Sequence, residues 1–163
     1  MSEIRIVRDY PHPPAKVWRA LTEPALIARW GMPPEGFAPR VGTTFRLVGT
    51  SNPGWRGFVE CEVLEVVAPS LLRYSWIGNE KSPTTFVTFR LEPHAGGTRL
   101  TFEHTGFASA GGFFLAHLIM KPGWKKIFHS TLPAVLADHR AASAADANRP
   151  PRRRENEETP CDD

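Results

Sequence analysis

Cysteine is nearly absent. Cys61 and Cys161 are the only two in 163 residues, and two such cysteines make neither a disulfide framework nor a paired-cysteine metal knuckle. Nothing points to an oxidising compartment, so the cytoplasm is the expected location. Long hydrophobic runs are also missing. The longest uncharged stretch, residues 104–120, is broken by His104, His117 and several Gly and Ser positions, too interrupted to span a bilayer. No basic-then-apolar signal opens the chain. Charge of one sign is scarce: the net is +3, with 20 Lys and Arg against 17 Asp and Glu. The excess is dispersed over residues 1–140 and forms no basic patch or stripe of the kind nucleic acid requires. Neither nucleic acid nor membrane is expected as a partner.

Catalytic signatures are missing too. None of the six His pairs with another at i, i+4 on one helix, so no metal site is expected. There is no nucleophile elbow, phosphate loop or dinucleotide fingerprint, and no cofactor is expected. Cys61 sits inside an alternating apolar pattern with no neighbour to depress its pKa, which suits a core residue better than a nucleophile. Glu60 and Glu62 flank it on the wet face.

Aromatic residues are plentiful instead: five Trp and ten Phe against only two Tyr. Most of that surface has no polar handle. It either fills a core or lines a cavity.

The chain reads mainly as short alternating strands. Glu3–Tyr10 is the first. Pro14 then suits the first turn of a short helix burying Val17, Trp18 and Leu21, and Thr22 is placed to cap a second helix ending near Trp30. Residues 31–42, rich in Pro and Gly, read as loop. Strands follow at Thr43–Val48, Gly57–Val67, Leu72–Trp76, Thr84–Leu91 and Thr98–Thr105, separated by turn signals such as Ser51-Asn52-Pro53-Gly54 and Gly96-Gly97. The apolar phase slips after Val63, which predicts a bulge. Six strands result, in an antiparallel meander with one dry face.

One long helix is left to cover that face. In Gly123–Leu136, residues Trp124, Ile127, Phe128, Thr131, Leu132, Val135 and Leu136 form one apolar stripe, while Lys125, Lys126, His129 and Ser130 face away. Pro122 interrupts or kinks the chain just before it, and Pro133 predicts a second irregularity inside it. Residues 113–120 are apolar all round. They read as a short buried helix, a lid, or a contact surface for a second copy or a chaperone. From residue 141 the periodicity disappears, and a disordered polar tail is expected over 141–163 after a domain at 1–140.

The order of strand, two short helices, five-strand meander and long helix resembles the helix-grip fold, an α+β architecture. Val17-Trp18-Arg19-Ala20-Leu21-Thr22 with Pro24 and Trp30, Val41-Gly42 with Phe45-Arg46, Pro69 with Leu72, Tyr74 and Trp76, Thr98-Arg99-Leu100-Thr101 with His104, Gly106 and Phe107, and Gly123-Trp124 together resemble the START-like (SRPBCC) superfamily. Within it they are most similar to the homologues of the activator of heat-shock-protein ATPase, in the short single-domain bacterial form. The resemblance implies a curved sheet gripping the long helix with a cavity between them. It implies ligands of the lipid, sterol or flavonoid kind, and in some members polyketide-cyclase-like activity. A co-chaperone of the type that names the family carries an additional N-terminal domain that this sequence does not display.

Strand phase and the helix stripe place a candidate ligand-binding set on one side: Trp30, Phe45, Cys61, Tyr74, Trp76, Phe89, Phe102, His104, Phe114, Trp124 and Phe128. His104 is the weak catalytic candidate among them, and with Tyr74 and Arg90 a candidate polar group for orienting a ligand, although Arg90 is phased outward. Three functions are carried forward. The first is non-enzymatic binding of a small hydrophobic molecule. The second is a cyclase- or hydrolase-like enzyme using His104. The third is a protein that docks residues 113–120 on a chaperone or on another copy of itself.

Overall fold

The computed structural model describes residues 3–107 and 113–138, with side chains for all of these except 113–119. The expected tail, Cys161 and the side chain of Phe114 lie outside that description.

The chain forms seven strands: β1 (Ile4–Tyr10), β2 (Pro34–Glu35), β3 (Thr44–Val48), β4 (Phe58–Val67), β5 (Leu71–Trp76), β6 (Thr85–His94) and β7 (Gly97–Thr105). They make one sheet in the order β1-β7-β6-β5-β4-β3-β2, every neighbouring pair antiparallel. The sequence indicates six. The seventh is the two-residue β2, which pairs with Leu47 and Arg46 at the sheet edge. Its partner is the next strand, β3, but a pairing that short leaves no alternation to read.

Local chemistry explains most of the rest. Helix α1 (Pro14–Thr22) opens on a proline, and its inward face is Val17, Trp18, Ala20 and Leu21. Pro24 holds Glu23 extended, which ends α1 and starts α2 (Pro24–Trp30). Glu23, not Thr22, is therefore the cap of α2. Thr22 closes α1 instead, donating its hydroxyl to the carbonyl of Trp18. The indole N–H of Trp30 donates to the carbonyl of Ala20 at 2.7 Å, fastening the two helices together. The predicted bulge is present: the β4–β5 register shifts between Val63 and Glu65. The β6–β7 hairpin turns on Ala95-Gly96, both at positive φ, the geometry that matches strand twist. Gly97 begins β7 rather than lying in the turn. A Cβ there would run into the carbonyl oxygen of Tyr10, so only glycine lets the end of β1 pack this closely.

The C-terminal helix begins earlier than the stripe suggested. Helix α3 (Phe113–Lys126) runs through Pro122, a π turn occupies Ile127–Thr131, and α4 (Leu132–Ala137) follows. The irregularity expected at Pro133 is this π turn. In the π register the carbonyl of Phe128 looks five residues ahead for its donor, and residue 133 is a proline without an N–H. The Tyr10 hydroxyl donates to that carbonyl instead, at 2.7 Å and fully buried. Burial pushes the Tyr10 pKa up, which keeps the hydroxyl protonated and donating. Tyr10→Phe is expected to leave the carbonyl unpaired, at a cost of about 1–3 kcal/mol. Urea unfolding of the two proteins checks this; equal midpoints would mean the π turn needs no help from β1.

The stripe itself is buried as its spacing requires. Trp124, Phe128, Leu132, Val135 and Leu136 are in the core, while Lys125, Lys126, His129 and Ser130 are exposed. No helix among the described residues is long and apolar enough to cross a membrane.

Candidate functional site

Side chains of α2, β3, β5 and the C-terminal helix surround a space beside the sheet. It is a cavity of about 400 Å³, within the range of small-molecule sites. Trp30, Tyr74, Trp76 and Trp124 line it, all four from the sequence-derived set. Ile27, Met32, Leu47, Met120 and Ile127 complete the apolar wall. Trp76 and Trp124 lie against each other, with ring centroids 5.5 Å apart.

The other members of the set are elsewhere. Phe89, Phe102 and Phe128 form a closed aromatic cluster under the helix: Phe102 lies 5.3 Å from Phe89, 4.7 Å from Phe128 and 4.4 Å from Trp124, ring to ring. All three are essentially inaccessible. Phe45 packs edge-on to Tyr74 at 5.2 Å. Phe45 and Cys61 border a polar depression among β2, β3, β4 and β5, not the apolar cavity. Burial pushes the Cys61 thiol far up, so it stays protonated and unreactive. Arg90 is exposed on the outer face.

His104 is fully buried and does not line this cavity. The indole N–H of Trp124 donates to its Nδ1 at 3.1 Å. The ring proton is therefore on Nε2, which donates to the Thr85 hydroxyl at 2.7 Å; that hydroxyl donates onward to the carbonyl of Trp76 at 3.3 Å. Both ring nitrogens are engaged in hydrogen bonds to Thr85 and Trp124. This is the work of a core histidine.

Among the described residues, two polar side chains reach the cavity. Arg29 forms an ion pair with Asp138, tying α2 to the end of α4 at the rim. Tyr74 is 5 % exposed, and its hydroxyl makes no hydrogen bond to any described residue. Desolvation, helped by the nearby Cys61, pushes its pKa well up. It is a neutral donor, not a base.

Met32, Leu47, Met120 and Ile127 were not in the sequence-derived set. Leu47 and Ile127 fit the inward phases of their elements, but nothing in phase separates cavity lining from core. Met32 falls in the Pro- and Gly-rich segment, where no periodicity exists. No group of three or more metal-binding side chains occurs among the described residues. The contact surface proposed for residues 113–120 has only Met120 among its described side chains, and Met120 faces the cavity.

A family model described as "Activator of Hsp90 ATPase homolog 1-like protein" matches residues 11–137. Protein MLL2253 from Mesorhizobium loti has a similar solved structure, 36% identical with a TM-score of 0.72, over 82% of this chain and 96% of that one. CalU16 from Micromonospora echinospora is 25% identical with a TM-score of 0.65, over 89% and 84%. DynU16, a protein of the dynemicin biosynthetic locus, shares the fold at 24% identity and a TM-score of 0.68, over 83% of this chain and 47% of its own. No curated protein matches the chain.

Proposed function

The chain belongs to the family of activator of Hsp90 ATPase homolog 1-like proteins, a branch of the START-like superfamily, and from that premise we propose that it binds a small hydrophobic molecule between its sheet and its C-terminal helix. The observation that carries this reading is the cavity of about 400 Å³ walled by Trp30, Tyr74, Trp76 and Trp124. Its lining is apolar, so affinity comes from removing apolar surface from water, at about 25 cal/mol per Å² before ordering costs. Aromatic walls favour a flat or ring-bearing ligand. The Tyr74 hydroxyl supplies one donor, which suits an uncharged acceptor such as a carbonyl or hydroxyl oxygen.

A cyclase- or hydrolase-like reaction needs a group that moves a proton inside the cavity. Among the described residues, the two titratable side chains that line it are Arg29, paired with Asp138, and Tyr74, held neutral. Neither is suited to that work, and His104 is committed elsewhere, so binding is the better-supported reading.

The test is a panel of flavonoids, fatty acids and sterols, read by tryptophan fluorescence and melting temperature. A ligand at about a hundredfold its Kd is expected to add about 2.7 kcal/mol of stability. Ile127→Trp, which puts an indole into the cavity, is expected to weaken binding at least about tenfold, and Tyr74→Phe to weaken acceptor-bearing ligands by about 0.5–1.5 kcal/mol. Tight binding that Ile127→Trp leaves untouched would place the ligand elsewhere.

A further inference from the structure

Next to the first cavity lies a second, of about 320 Å³. Its far wall is Trp55, Pro83 and Phe107, with Asn79 and Ser82 at the rim. Trp55 comes from the β3–β4 loop and is fastened there. Its indole N–H donates to the carbonyl of Gly78 at 3.1 Å, and its ring lies against Gly49, where a Cβ would collide with it.

The two cavities share three lining residues: Met32, Trp76 and Met120. Trp76 is fixed. It ends the central strand β5, 5.3 Å from the His104 ring and 5.5 Å from Trp124. Met32 and Met120 are half-buried, unbranched, and turn about three side-chain bonds each. Of the three shared residues, the two that can turn aside without a backbone change are therefore the thioethers.

Charge narrows the occupant. Among the described residues, the one formally charged side chain on either lining is Arg29, and Asp138 already neutralises it. A ligand carboxylate or ammonium would enter without a free partner, which is costly.

We propose that the two cavities form one site, joined when Met32 and Met120 rotate aside, and that its ligand is a single elongated, uncharged, largely apolar molecule. The proposal rests on the binding reading above and extends it to the length and charge of the ligand. Its first part lies among Trp30, Tyr74 and Trp124; its second reaches Trp55 and Phe107.

A chain-length series of 1-alkanols from hexanol to hexadecanol, titrated into the full chain and read by calorimetry, tests it. Each added CH₂ buried is expected to tighten binding about fourfold, and the climb stops where the site is full. Ser82→Trp and, separately, Asn79→Trp reduce the second cavity from its rim. In either variant the climb is expected to stop several carbons earlier than in the wild type. A general loss of stability would weaken every length alike and would not move that stopping point. The same stopping point in all three proteins overturns the joined site and leaves the single-cavity reading standing. Binding of no alkanol at any length removes both. Decanoate binding as tightly as decanol would overturn the inference that the ligand is uncharged.

Discussion

Replacing Phe102 with alanine is expected to lower the unfolding free energy by about 3–5 kcal/mol, and with it the melting temperature by roughly 10 °C. Phe102 is completely buried. It is the central ring of the cluster, touching Phe89, Phe128 and Trp124, so its removal opens a hole bounded by β6, the π turn and α3 at once. Aromatic neighbours fixed by a sheet on one side and a helix on the other have little freedom to collapse inward. The cost therefore falls at the upper end of large-to-small substitutions. Guanidinium unfolding at constant m-value measures it. A loss below about 1.5 kcal/mol would mean that the cluster is loosely packed and that Phe102 belongs to the cavity wall. The contrast with Ile127→Trp is the informative part. One substitution empties the core and the other fills the cavity, so their effects on stability and on binding run in opposite proportions.

His104→Leu is expected to cost about 2–4 kcal/mol. Most of that comes from the indole N–H of Trp124, which loses its acceptor inside the core, a penalty of about 1–3 kcal/mol. The Thr85 hydroxyl loses the proton it accepts from Nε2 but keeps its bond to the Trp76 carbonyl. His104→Gln restores an acceptor and a donor on a side chain of similar reach and is expected to recover roughly half the loss. Nitrogen-edited NMR gives a direct readout: the Trp124 indole proton should shift upfield in His104→Leu and return toward its wild-type position in His104→Gln. A catalytic His104 makes a different prediction, that turnover of an identified substrate disappears while stability and the indole resonance stay put.

These two residues show how far strand phase carries an argument about function. Phe102 and Trp76 both point to the dry face, and on alternation alone they are equivalent. They differ in the neighbours that the C-terminal helix and α2 bring to each. Phe102 is enclosed by Phe89, Phe128 and Trp124, whereas Trp76 touches His104 and Trp124 and also borders the cavities. Inward direction is a local property of a strand, set by its two-residue period. Whether an inward side chain meets another side chain or a gap depends on elements distant in sequence. The same reason hid Met32 and Met120. Met32 stands in a segment without periodicity and Met120 in a stretch apolar all round, so neither has a pattern that gives it a direction.

The π turn divides in the same way. A proline at position 133 inside an apolar stripe announces trouble for the helix, since a missing N–H and a steric clash are covalent facts. The form of the solution is not local. It depends on the Tyr10 hydroxyl arriving from a strand more than a hundred residues earlier to satisfy the carbonyl of Phe128.

What the sequence determined by itself is the meander, the bulge after Val63, the two short helices and the apolar stripe of the C-terminal helix. Each follows from periodicity or from the backbone limits of proline and glycine, which act within a few residues. Tertiary structure decided the two-residue β2, the tautomer of His104, and the division of the aromatic set into a packed cluster and a cavity wall. Those outcomes depend on the distance between surfaces that only folding brings together. A separation of a few ångströms is enough to decide whether such surfaces touch or enclose space.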